Sequence, residues 1–295
     1  DALGAHMSER IRQGCRYAMA ISGPMNMGHW LVELEESFFG VKYAPEERRK
    51  RQAESGNTHF NNALQDCFKR HNLSIRPNLL RFRDFADMEQ AKARLCALSE
   101  DPMTIAVYNL DDANEKKPLR DVDNDRLAAL VNTLIGYGHV TGLSDILGVY
   151  LDYKNHGPND APEARIPFAE LLAFIDRARE IGHISELTRG GMLSKLLSYR
   201  QVVACGDTVQ IAQGTTAESI HRLFTDPSCG TRLEPKVDPI SRIESALNLR
   251  EMWEKNNDHD CELGPLSLLD RLEELQRMQQ LLDMLHEIRE HAEAL

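Results

Sequence analysis

The chain reads as α/β: a Rossmann-like parallel sheet flanked by helices, with a mostly helical C-terminal extension. Three observations predict this. Short apolar runs at 17–21 and 103–110, bounded by Gly/Pro or Asp/Pro breaks, have strand length and composition. Between them lie segments with apolar residues at steps of three and four, the helical period. Beyond residue 236 only the helical period remains. Alternating strands and helices followed by helices alone give an α/β sheet domain over 7–235 and a helical extension over 236–295. Residues 1–6 read as a cloning scar before a native start at Met7.

The first unit is RYAMAISGPMNMGHWLVEL, from Arg16 to Leu34. Its strand, 17–21, breaks at Ser22-Gly23-Pro24 and passes into a helix opening near Gly28-His29-Trp30. In such a unit the ligand lies beyond the carboxyl end of the strand, against a helix N-terminus. Ser22 therefore stands where a nucleophile or a phosphate-binding hydroxyl would be held.

The remaining elements follow in order. Pro45 with Glu46 and Glu47 starts a helix, and Phe60, Leu64 and Phe68 carry one face of its continuation to His71. A second strand is expected at 79–82, an amphipathic helix at 84–98, and the clearest strand at 103–110 (MTIAVYNL). A helix over 125–135 turns inward Leu127, Leu130, Val131 and Leu134, and the bend at Gly136, Gly138 and Gly142 leads into 143–153. The proline-rich 155–167 reads as an exposed lid or linker, and a helix over 168–181 ends at Gly182. Gly190-Gly191 precedes another helix, and 201–212 (QVVACGDTVQIA) reads as strand, turn, strand. Thr215 with Glu218 reads as a capping box, and Asp238-Pro239 starts a helix through Trp253. The last helix, 267–295, carries Leu268, Leu272, Leu275, Met278, Leu282, Leu285 and Ile288. That stripe serves core packing or a helical pair, and it offers a homodimer contact.

Composition excludes several classes. No apolar run approaches the ~20 residues of a membrane span. The six cysteines are scattered without a Cys-x-x-Cys, which fits reduced thiols and a cytoplasmic protein. Asp258-His259-Asp260-Cys261 reads as a polar loop, so no metal is assigned. A net charge of −11 argues against a general nucleic-acid binder, yet residues 42–83 carry ten Lys/Arg against four Asp/Glu. A local +6 on an acidic body suits either a solvated helix face or the steering of a phosphate backbone.

Two family resemblances fall on these residues. Tyr17-Ala-Met-Ala-Ile-Ser22-Gly-Pro-Met-Asn26 resembles the first strand and turn of the tRNA-dependent cyclodipeptide synthases, and Leu80-Arg-Phe-Arg-Asp-Phe-Ala-Asp-Met-Glu resembles their next strand-into-helix. Asn26-Met27-Gly28-His29 resembles the ATP-binding signature of the related class I aminoacyl-tRNA synthetases, with Asn26 in place of its first His. Gly138 to Leu147 is similar to the synthetases' amino-acid-pocket helix, and Met192-Leu-Ser194-Lys195-Leu-Leu to their mobile Lys-Ser loop.

The first resemblance implies an aminoacyltransferase joining two aminoacyl-tRNAs into a cyclic dipeptide, with no cofactor. Ser22 would take the acyl group, while backbone N–H groups from Gly23 to Gly28 and the Asn26 amide stabilise the oxyanion. His29 or His139 would act as general base. Tyr137, Asp145 and Tyr150 would line the amino-acid pocket, with Asp145 favouring a cationic side chain. Arg48, Arg49, Lys50, Arg51, Lys69 and Arg70 would contact tRNA. Two alternatives stand beside this reading: an ATP-dependent nucleotidyl transferase or synthetase-like enzyme of the same superfold, and a non-enzymatic helical interaction protein.

Overall fold

The computed structural model describes residues 2–21, 24–110, 124–150, 161–180 and 191–257. Helix α1 (Ala2–Arg12) is followed by strand β1 (Ala18–Ala20), α2 (Pro24–Phe39), α3 (Pro45–Lys69) and β2 (Ser74–Leu80). A 3-10 turn at Phe82–Phe85, α4 (Met88–Leu98) and β3 (Thr104–Leu110) complete the first unit. Then come α5 (Asn124–Ile135), β4 (His139–Ser144), β5 (Arg165–Pro167) and α6 (Phe168–Glu180). Helix α7 (Gly191–Ala204), β6 (Thr208–Gln213), α8 (Ala217–Thr225), β7 (Thr231–Glu234) and α9 (Arg242–Asn257) end the described chain.

The first sheet, ordered β1-β3-β2, is all parallel. Its central strand β3 shows why a continuous apolar run was needed. Ala106, Tyr108 and Leu110 face one core, while Ile105 and Val107 face a second core built with Met7, Ile11, Phe68 and Leu73. Parallel strands covered on both faces cannot alternate with polar residues. The second sheet, β4-β6-β7-β5, is mixed: β4 and β6 are parallel, and β7 runs antiparallel to β6. The first core is continuous across both sheets, for Leu80 and Tyr108 belong to the same cluster as Val140, Val209, Ile211 and Leu233. Helix α5 joins them, packing on β1, β3 and β4 as well as on α7 and α9.

Local signals place most of these elements. Proline at the start of α3 lacks only an N–H the helix cannot use, and Glu46 and Glu47 face the positive end of its dipole. Asp87 caps α4 by accepting from the Gln90 N–H at 3.0 Å. Several boundaries differ from expectation. The helix after β1 opens at Pro24, and Gly28 lies inside it. The second strand is 74–80, and 165–167 of the expected lid is a strand paired with β7. Residues 201–204 end α7, so 201–212 is helix, turn and strand. The cap of α8 is Thr216 with Ser219 rather than Thr215 with Glu218. Helix α9 starts at Arg242. Helix α1 takes in residues 2–6, with Gly4 buried and a side chain there excluded by the His71 ring at 2.7 Å. The stripe at 267–295 lies outside the described residues.

Candidate functional site

Helix α2 leaves the carboxyl end of β1 and packs along α3. These two helices cross unusually closely. A Cβ on Gly28 would stand 1.7 Å from the Gln52 carbonyl oxygen, and one on Gly56 would stand 1.8 Å from that of Pro24. Glycine is required at both by contact between backbones. At the end of β3, the Asn109 amide donates to Asn57 Oδ1 at 2.9 Å, and Asn57 donates to the Ala53 carbonyl. Both side chains are buried, so their amides are held in one orientation beside the strand end.

The second half contributes charge. Asp125 lies in the first turn of α5, and Lys195 lies near the start of α7. The Lys195 ammonium donates to both carboxylate oxygens of Asp125 at 2.8 Å, with the two side chains 16% and 17% exposed. The buried Tyr199 hydroxyl donates to Asp125 Oδ1 at 2.6 Å. Strand β4 makes room for that ring, because a Cβ on Gly142 would meet the Tyr199 ring and hydroxyl at 2.6 Å. A mostly buried cation, set close to two helix N-termini that themselves favour anions, is an arrangement suited to phosphate.

Beyond the carboxyl ends of β4 and β6 the chain turns tightly. The Gly214 N–H donates to the Ser144 carbonyl at 2.9 Å, and the Gln213 amide donates to the Asp145 carbonyl at 3.2 Å. A small cleft of about 130 Å³ opens here, lined among others by Leu147, Pro162, Gln213, Ser219 and Arg222.

The residues expected to form one site are scattered. Ser22 and Gly23 lie outside the described residues. Asn26 is exposed in the first turn of α2, and Gly28 is spent on the helix crossing, so 26–29 is helix interior rather than a nucleotide loop. His29 is exposed, bonded to Gln52 at 3.0 Å and to Glu33 at 3.0 Å. His139 starts β4, and Asp145 follows the other end of that strand, ~17 Å away for six extended residues. The His139 ring lies between Thr208 at 2.7 Å and Thr141 at 3.1 Å. Surrounding protein, then nearby Arg232, hold its pKa below the usual histidine value although part of the ring meets solvent. Tyr137 donates to Ser99 at 2.8 Å, again at the amino end of β4. Tyr150 follows the β4 turn and is half-buried. Residues 139–144 form a strand, not a pocket helix, and 191–197 lie in α7, not in a mobile loop.

The basic helix is also differently employed. Arg48 pairs with Glu36 at 3.1 Å, and Arg51 pairs with Glu35 at 3.1 Å while lying over the Tyr43 ring. Lys50 faces Glu54 at 3.8 Å. Arg49 is half-buried, with interactions of its own. Lys69 and Arg70 are exposed at the end of α3, where cations favour the helix dipole. Two of the run, Arg48 and Arg51, tie α3 to α2. Two pairs escaped sequence reading, Asp125 with Lys195 and Asn57 with Asn109. Each joins residues far apart in the chain, and the available signal was a polar side chain at the end of a strand or start of a helix.

No family model matches the chain. It is 29% identical over 257 residues to a glutamate 5-kinase of Shouchella clausii, covering 80% of this chain and 64% of that protein. A glutamate 5-kinase of Nitrosospira multiformis is 31% identical over 175 residues, 58% of this chain and 46% of that one. The chain thus spans about half to two-thirds of the length of these curated relatives. In three dimensions it resembles a carbamate kinase of Giardia lamblia bound to AMP-PNP, with a TM-score of 0.52 and 12% identity, over 79% of this chain and 88% of that one. That likeness shows the fold, an α/β sheet flanked by helices. The glutamate 5-kinase relatives overturn the cyclodipeptide-synthase resemblance, and with it the aminoacyltransferase activity, the acyl-Ser22 intermediate and aminoacyl-tRNA as partner. Of the earlier readings, the ATP-using alternative agrees better with them. Among the described residues, no helix is long and apolar enough to cross a membrane.

Proposed function

We propose that this chain is an ATP-dependent kinase that phosphorylates the side-chain carboxylate of an amino acid, the reaction named in its glutamate 5-kinase relatives. The observation that carries the reading is the likeness over 80% of the chain to a glutamate 5-kinase.

The residues suit that chemistry. A carboxylate oxygen attacks the terminal phosphorus, the bond to the bridging oxygen breaks, and ADP leaves with that electron pair, giving an acyl phosphate. The nucleophile is already anionic, so no histidine base is needed, and the scattering of His29 and His139 costs the mechanism nothing. What the step needs is positioning and positive charge around the transferring group. An ammonium has three donors, and Asp125 occupies two on Lys195, leaving one for a phosphate oxygen. The N-terminal N–H groups of α7 and α5 add to that field. The Asn57–Asn109 pair at the β3 end would orient the acceptor, and the cleft by Gln213 and Arg222 would take part of the nucleotide.

Incubating the protein with magnesium ATP and glutamate, with hydroxylamine present to trap the acyl phosphate as a hydroxamate, tests this. ADP and hydroxamate should form together, and Lys195→Met should slow both by roughly a hundred-fold with the fold intact. Absence of ADP release with glutamate and with other carboxylate amino acids would reject the reading.

A further inference from the structure

Asp125 receives two side chains of α7, one charged and one neutral. Lys195 and Tyr199 stand four residues apart, so they lie on one face of that helix, a turn from each other. The Lys195 ammonium donates to both carboxylate oxygens at 2.8 Å, and the Tyr199 hydroxyl donates to Oδ1 at 2.6 Å. The two donors differ in rigidity. Lysine carries its ammonium on a flexible four-carbon stem, and the terminal torsion of an aspartate is broad. Bonded to each other alone, those two groups would turn together. The Tyr199 ring, in contrast, is 1% exposed and belongs to the core shared by the two sheets. Strand β4 is cut away to admit it, for a Cβ on Gly142 would stand 2.6 Å from both the ring and the hydroxyl oxygen. Packing asks for no such oxygen, since a phenylalanine ring would fill the same core.

We infer that Tyr199 is a positioning residue for phosphoryl transfer. Its hydroxyl fixes the plane of the Asp125 carboxylate, and through it the place of the Lys195 ammonium. This role rests on the kinase reading, which makes Lys195 the cation beside the transferring group. Charge stabilises a transition state most when it is already in place, so an ammonium free to swing is worth less. The hydroxyl is also neutral. It satisfies Oδ1 without a second cation, and the third donor of the ammonium stays available to a phosphate oxygen. Buried as it is, Tyr199 acts through Asp125 and Lys195 and leaves ground-state binding alone. Its loss therefore belongs in kcat and not in KM.

Tyr199→Phe removes the oxygen and keeps the ring. With magnesium ATP and glutamate, kcat should fall roughly tenfold, the scale of one hydrogen bond to a charged group, while KM for both substrates stays within about twofold. Calorimetry adds a reading that a partly misfolded sample cannot imitate. Magnesium ADP should bind the variant as it binds the wild type. Magnesium ADP with aluminium fluoride and glutamate, a mimic of the transferring group, should bind roughly tenfold more weakly at unchanged stoichiometry. A tyrosine that served the fold alone would instead lower the melting temperature and the stoichiometry, with the affinity for the mimic unchanged. An active wild type matched by Tyr199→Phe in kcat, a loss that appears in KM, or an unweakened mimic would overturn the role of Tyr199 by itself. A wild type that releases no ADP with any carboxylate amino acid removes it together with the kinase reading.

Discussion

The two sheets of this protein are stabilised in different ways. Around the first, side chains at the strand ends are neutral amides, and the tightest contact is backbone against backbone at Gly28 and Gly56. Around the second, charges are taken out of water in pairs: Asp125 with Lys195, and Asp207 with Arg242. Asp207 is buried in the turn before β6, accepts two Arg242 bonds at 2.7 Å, and takes a third from Asn132 at 2.7 Å. Burying ions is costly unless every lone pair is matched, so such pairs are kept where geometry or chemistry demands them. The contrast assigns shape to the first half and charge to the second.

The largest expected effect breaks the first half. Gly56→Ala puts a methyl where the Pro24 carbonyl stands, and no rotamer relieves it, so about 3 kcal/mol or more of stability should go, read from urea unfolding. Next comes the buried pair. Asp207→Ala leaves Arg242 and Asn132 without their acceptor and should cost roughly 2–3 kcal/mol, discounted because the Arg242 side chain is 34% exposed. A sharper comparison uses β4. Gly142→Ala should cost about 2 kcal/mol by displacing Tyr199, and that cost should shrink in a Tyr199→Ala background, a coupling that a double-mutant cycle measures.

The smallest effect is in pH. The folded state holds His139 neutral below the usual histidine pKa of 6.5, through burial and then Arg232. As pH falls below that value the unfolded chain takes up a proton that the folded one refuses, and stability drops; above it His139 is neutral in both states and contributes no slope. His6, lowered by burial and by His221, adds to the same loss. His139→Gln should therefore flatten, without abolishing, the fall in urea midpoint between about pH 7.5 and 5.5. Tyr108 acts at the other extreme. Burial lifts it to about 12, so stability should erode as pH rises through the ordinary tyrosine value of 10.0, and Tyr108→Phe should lessen that slope without abolishing it, since burial raises Tyr17 and Tyr137 as well.

Sequence alone determined the elements whose signals are local. The run at 103–110 is apolar at every position that both cores require, and Pro45 with its acids starts α3 as expected. The α/β class followed from those periods. What it misjudged were residues whose meaning depends on what lies across the chain. Gly28 looks like a nucleotide-loop glycine until Gln52 is seen against it, and Arg48 looks free until Glu36 is seen beside it. Taking 138–147 as a helix put Tyr137, His139 and Asp145 within one turn or two, whereas an extended strand carries the first two to the opposite end of the sheet. Only the tertiary structure brought Lys195 onto Asp125, because seventy residues separate them and no local periodicity encodes which helix N-termini converge. Hydrophobic period is a property of neighbours along the chain. A site is a property of neighbours in space, and those are decided by packing.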